Sequence, residues 1–132
     1  MEKEIIKSHT DLPQSKKLAE ILPLDSADMY YFLDPTPAGN IYHLTVQRVD
    51  VGIKNLPQYD EGDIPCWSLA ALLGVLPKIG AEEPMVIKLY YAKEPKERYI
   101  CEYGLTNITS EYDNPVDACY EMILKLHELN LL

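Results

Sequence analysis

Apolar and polar residues follow three rhythms along this chain. Near the N-terminus, "TDLPQSKKLAEILPLDSADMYY" has helical spacing: Leu18, Ile21 and Leu22 share one face until Pro23 interrupts it. Asp11 is placed to cap that helix, with Pro13 in the first turn and Gln14 completing a capping box. "MYYFL" and "IYHLTVQRV" are rich in aromatic and β-branched residues and flank "DPTPAGN", which predicts a β-hairpin with a long loop. "DVGIKNLPQYDEGD" then reads as loop.

The second half holds two further helices and a hairpin, with no internal repeat. In "DIPCWSLAALLGVLPK", Asp63 and Pro65 read as helix start signals and Pro77 as the stop. Trp67, Leu69, Leu72, Leu73, Val75 and Leu76 surround most of its circumference, which predicts a helix over 65–76 buried on nearly all sides. Gly74 inside it costs ~1 kcal/mol relative to alanine, so a close neighbour is expected there. "MVIKLYYA" and "RYICEYGL" around "KEPKE" predict a second hairpin, with Met85, Ile87, Leu89 and Tyr91 on one face of its first strand and Tyr99, Cys101 and Tyr103 on one face of its second. The last helix starts at Asn114 as cap and Pro115 in the first position; Val116, Cys119, Tyr120, Ile123, Leu126 and His127 form its apolar stripe. These elements predict a single α+β domain over residues 1–132, with about three helices packed on an antiparallel sheet built from two hairpins.

Composition narrows the function classes. With 132 residues and 47% hydrophobic side chains, the chain is long enough to bury a core without disulfides. The net charge of -9 is spread over both halves and no basic pole exists, so nucleic-acid binding is not expected. Ten tyrosines against one phenylalanine suit half-buried strands and contact surfaces. Cys66, Cys101 and Cys119 form no C-x-x-C pair and leave an odd thiol, so neither a disulfide framework nor a zinc site is encoded and a reducing compartment is implied. No signal peptide or membrane span is read, and a cytoplasmic protein is expected.

Few residues offer chemistry. Cys66 at a helix start has the setting of an activated nucleophile, but no histidine lies near it in sequence, and a buried packing role is preferred. Ser68 lacks the G-x-S-x-G setting of a nucleophile elbow. His127 lies two helical turns from Cys119, too far for a shared metal ion. Asp60, Glu61 and Asp63 do not follow the calcium-loop spacing, and Asp63 reads as a helix cap. The glycines are too widely spaced to cradle phosphates. No catalytic, cofactor-binding or metal-binding residue is assigned, and no cofactor is expected.

Four stretches, "QSKKLAEIL", "SADMYY", "IPCWSLAALLGVLP" and "NPVDACYEMILKLHELNLL", together resemble a family of short, uncharacterised proteins encoded by prophages and mobile elements of Bacteroides-like bacteria. The resemblance covers the two ends and the Trp67 segment, not the tyrosine-rich hairpins. It implies a cytoplasmic protein of a bacterial host and carries no assigned activity.

The expected function is that of a non-enzymatic accessory protein acting by protein–protein binding. Tyr30, Tyr31, Trp67, Leu69 and Leu72 form the candidate interaction surface. An unknown protein partner is expected, with a homodimer contact at the 65–76 helix as one form of it, and neither nucleic acid nor membrane. The alternative is a small enzyme or small-molecule-binding protein with a tyrosine-lined pocket and His43 or His127 as its polar group.

Overall fold

The computed structural model describes residues 7–46, 62–91, 93 and 96–132. Over the described residues it is an α+β structure with three helices and two three-stranded antiparallel sheets. The chain forms two compact units, His9–Ala71 and a second made of Leu72–Leu132 with Lys7 and Ser8. The two expected hairpins therefore do not share one sheet; each recruits a third strand of its own.

In the first unit, α1 (Leu12–Ala19) carries both hydrogen bonds of the capping box. Gln14 N donates to Asp11 Oδ1 at 2.9 Å and Asp11 N to Gln14 Oε1 at 3.1 Å. A short 3₁₀ turn at Leu24–Ser26 leads into β1 (Met29–Thr36), which pairs with β2 (Gly39–Val46) on one side and β3 (Ile64–Cys66) on the other. The long hairpin loop expected at "DPTPAGN" is a two-residue turn, Pro37 and Ala38, followed by Gly39 at φ +125°. Asp34, Pro35 and Thr36 extend the strand instead. β3 pairs with Met29 to Tyr31, so among the described residues Pro35 has no strand partner on that side for its missing N–H to break. α1 packs on β3, and the Lys16 ammonium lies 5.9 Å from the Tyr42 ring centroid. Leu18, Leu22, Ala27, Cys66 and Trp67 are buried, together with Thr10 and Ser15.

The expected 65–76 helix is corrected in two respects. Ile64, Pro65 and Cys66 are a strand, held by pairing with β1 that no local signal encodes. The helix proper, α2, is only Leu69–Val75, and it is not buried all round: Leu72 is buried, but Ala70, Leu73 and Gly74 are exposed. No atom of a described residue lies within 4 Å of a Cβ built on Gly74, so the close neighbour expected there is absent. The boundary between the units falls inside this helix.

In the second unit, β4 (Met85–Tyr91), β5 (Lys96–Tyr103) and β6 (Ile108–Tyr112) form an antiparallel meander with β5 in the centre. The sequence reading missed β6. The β5–β6 turn includes Asn107 at φ 56°, a conformation asparagine tolerates better than most residues. α3 (Pro115–Glu128) packs on β5 and β6. Asn114 caps it by accepting from Asp117 N at 2.8 Å, and Val116, Ala118, Cys119, Met122, Ile123 and Leu126 are buried. Tyr120 is half-buried, while His127, expected on the apolar stripe, is exposed. The stripe angle is right, but the last turn exposes Lys125, Glu128 and Leu129 as well.

Candidate functional site

Cys66 sits in a buried polar cluster made by the entry to α1 and the end of β3. Its thiol donates to the Thr10 carbonyl at 3.3 Å and lies 3.6 Å from Thr10 Oγ1, which donates to the sulfur. Thr10 Oγ1 is 2.8 Å from Ser15 Oγ and accepts from Trp67 N at 3.1 Å; Tyr31 donates its hydroxyl to the Thr10 carbonyl at 2.8 Å. Trp67 completes the cluster, with Nε1 donating to Ser26 Oγ at 2.9 Å. Burial pushes the Cys66 thiol up, against the lowering effect of its bonds to Thr10, Ser15 and Tyr31. Burial also raises the Tyr31 hydroxyl, with Cys66 adding to it. A nucleophilic cysteine needs an accessible thiolate; this one is protonated and wholly enclosed. The cluster satisfies buried polar atoms and ties α1 to β3.

Ser68 is brought beside His9 by a backbone bridge and beside Asp28 by hydrogen bonds, so three residue types of a nucleophilic triad converge. Their connections differ from that chemistry. Ser68 Oγ donates directly to the Asp28 carboxylate and accepts from Ala71 N at 3.2 Å, while Ser68 N donates to Asp28 at 2.9 Å. Ser68 is the N-cap of α2, the role expected of Asp63.

The remaining candidates are scattered. Trp67 and Leu72 are buried, and Tyr30, Tyr31 and Leu69 are half-buried. His43 is exposed on the first sheet, stacked on Phe32 at 5.0 Å and 3.1 Å from Asp34. His127 is exposed at the end of α3 in the other unit. Asp60 and Glu61 lie outside the described residues. Among the described residues no group of three or more His, Cys, Asp or Glu could hold a metal ion.

One feature of the second unit escaped sequence reasoning and another was legible only in part. The first is a surface groove of about 270 Å³ between β6 and α3. Consecutive β6 residues, Thr109 to Tyr112, form one wall, and Glu121, Leu124, Lys125 and Glu128, one helical face, form the other. The Lys125 ammonium donates to the Thr109 carbonyl. Ser110 lines the groove, and its buried hydroxyl has no hydrogen-bond partner among the described residues. Tyr112 is raised by partial burial and by Glu121 and Asp117, a sign of negative potential at this end. The second feature is the sheet face opposite α3. The register puts Met85, Ile87, Leu89 and Tyr91 of β4 in an apolar row there with Ile100 of β5, bordered by Lys96, Arg98 and Glu102 of β5, and Met85 is 58% and Tyr91 43% exposed. Only the β4 half of this face was legible, as the period-two alternation of "MVIKLYY".

No family model, no curated protein and no solved structure matches this chain.

Proposed function

We propose that this chain is a non-enzymatic accessory protein of a prophage or mobile element that acts by binding another protein. The observation that carries the reading is the apolar row Met85, Ile87, Leu89, Tyr91 and Ile100, on a sheet face that α3 does not cover. Aligned apolar side chains on a sheet surface favour contact with a partner over solvent. The fates of the reactive side chains support it further: Cys66 is enclosed and Ser68 is a cap. The prophage or mobile-element setting, and a cytoplasmic location, rest on the sequence resemblance. Among the described residues no helix is long and apolar enough to cross a membrane. The acidic surface gives nucleic acid no electrostatic foothold.

The test is affinity capture from lysate of a Bacteroides-type host with the full chain as bait, beside light scattering of the pure protein. A reproducible partner, or a homodimer, that is lost in a Leu89→Lys variant is the expected result. A monomer with no captured protein, stabilised against heat by a small metabolite, would replace this reading with the small-molecule alternative.

A further inference from the structure

The β6 edge has an unusual arrangement of backbone partners. Thr109 and Glu111 are two residues apart in the strand, so their carbonyl groups point the same way. Each accepts from a cationic side chain: Thr109 from Lys125 Nζ, and Glu111 from Arg98 Nη2 at 3.3 Å. Strand edges expose unpaired donors and acceptors that invite another strand, and lysine is a common guard against that. The two guards here differ. Arg98 is also held by Glu111 and Asp113 carboxylates, whereas Lys125 is exposed and makes no ion pair among the described residues.

We propose that the groove between the β6 edge and α3 takes an extended, lysine- or arginine-bearing segment of a partner protein as a fourth strand of this sheet. The inference rests on the protein-binding reading above and names the chemistry of the partner. Three observations carry it. The groove runs beside an edge strand along one helical face, the geometry in which peptides add to sheets. Ser110 is 6% exposed and its hydroxyl has no partner among the described residues, although buried hydroxyls are almost always bonded; the side-chain ammonium of an incoming lysine would satisfy it. Glu121 and Glu128 stand on the helix wall with no ion pair among the described residues, so a cationic side chain meets unneutralised carboxylates.

Lys125 then acts as a removable plug. Its ammonium holds the position at the Thr109 carbonyl that the backbone N–H of an added strand would take. A strand from a second copy of this chain is the poorer occupant, because the chain carries net charge -9 and the groove wall is acidic.

The experiment titrates the full-length protein with a synthetic peptide of alternating lysine and valine, and with its glutamate–valine counterpart, by calorimetry and by two-dimensional NMR of backbone amides. Binding of the lysine peptide alone is expected, weakened by salt, with the largest shifts and slowed exchange at Thr109 and Glu111. Lys125→Met should tighten it about five-fold, the worth of one net hydrogen bond. Ser110→Ala should weaken it several-fold, and Glu121→Lys with Glu128→Lys at least ten-fold, with circular dichroism confirming each fold. Equal binding of both peptides, no amide shift along β6 in the unmodified protein, or unchanged affinity in Ser110→Ala would overturn the inference. If a partner captured from lysate is retained by the Glu121→Lys variant and not displaced by the lysine peptide, the groove assignment falls while the protein-binding reading stands.

Discussion

The hydroxyl of Tyr103, the last residue of the central strand of the second sheet, donates to the carbonyl oxygen of Pro77 at 2.6 Å, in a side chain with no exposed surface. The bond fastens the segment that follows α2 to β5. Tyr103→Phe strands a carbonyl and should cost about 1–2 kcal/mol in urea unfolding. Burial pushes the Tyr103 hydroxyl up to about 12 from its ordinary 10.0. The unfolded chain therefore releases this proton first, so the contribution is complete below the ordinary value and is lost as pH rises through about 12. Unfolding midpoints measured on the alkaline side should fall more steeply for the unmodified protein than for Tyr103→Phe.

Cys66 should resist a neutral alkylating reagent in the folded protein and react only on unfolding. A pH series of alkylation rates with Cys66→Ala as control isolates its contribution from Cys101 and Cys119, which are also buried. Cys66→Ala should lower stability by about 1 kcal/mol through lost packing and a lost bond to Thr10. Fast modification specific to Cys66 would return it to the list of nucleophiles.

The helix caps should be worth similar amounts. Asp11→Ala removes an acceptor for Gln14 N, and Asn114→Ala one for Asp117 N; each should cost about 1 kcal/mol by thermal unfolding. Asn114→Ser should recover most of the loss, because a hydroxyl can take the same bond. Equal losses in the serine and alanine variants would mean that something other than capping sets the effect.

Gly74→Ala should stabilise. The position is helical, φ is not in the left-handed region, and the added methyl meets no described atom. The gain should be about 0.5–1 kcal/mol, read as a raised denaturant midpoint with an unchanged slope. A loss would mean that the methyl meets a group not evident around Gly74.

What was legible in the sequence was what local chemistry decides. Asp11 with Gln14, and Asn114 with Pro115, announce helix starts because caps act within one turn. The burial of Cys66 was legible too, because it stands in an apolar run. Residues 65 and 66 were misread because Pro65 before an apolar run looks like a helix start, and only pairing with β1 makes them strand. "ITSEY" escaped notice as β6 because it is short and largely polar, as edge strands often are. The groove was therefore illegible: one of its walls was a strand not foreseen, and the free hydroxyl of Ser110 depends on what surrounds it.

Because β3 pairs with β1 and not with β2, Cys66 reaches Met29 only when the chain closes a loop containing the whole β1–β2 hairpin. A hairpin with a two-residue turn assembles within about 1–10 μs, whereas distant pairing first incurs the entropy of loop closure. The unit should therefore come together in two tiers, the hairpin as template and β3 as the late arrival that brings Trp67 into the interior. The single tryptophan becomes a clock for the second tier. Doubling the length of the β2–β3 connection should delay its signal while costing only about 0.6 kcal/mol at equilibrium.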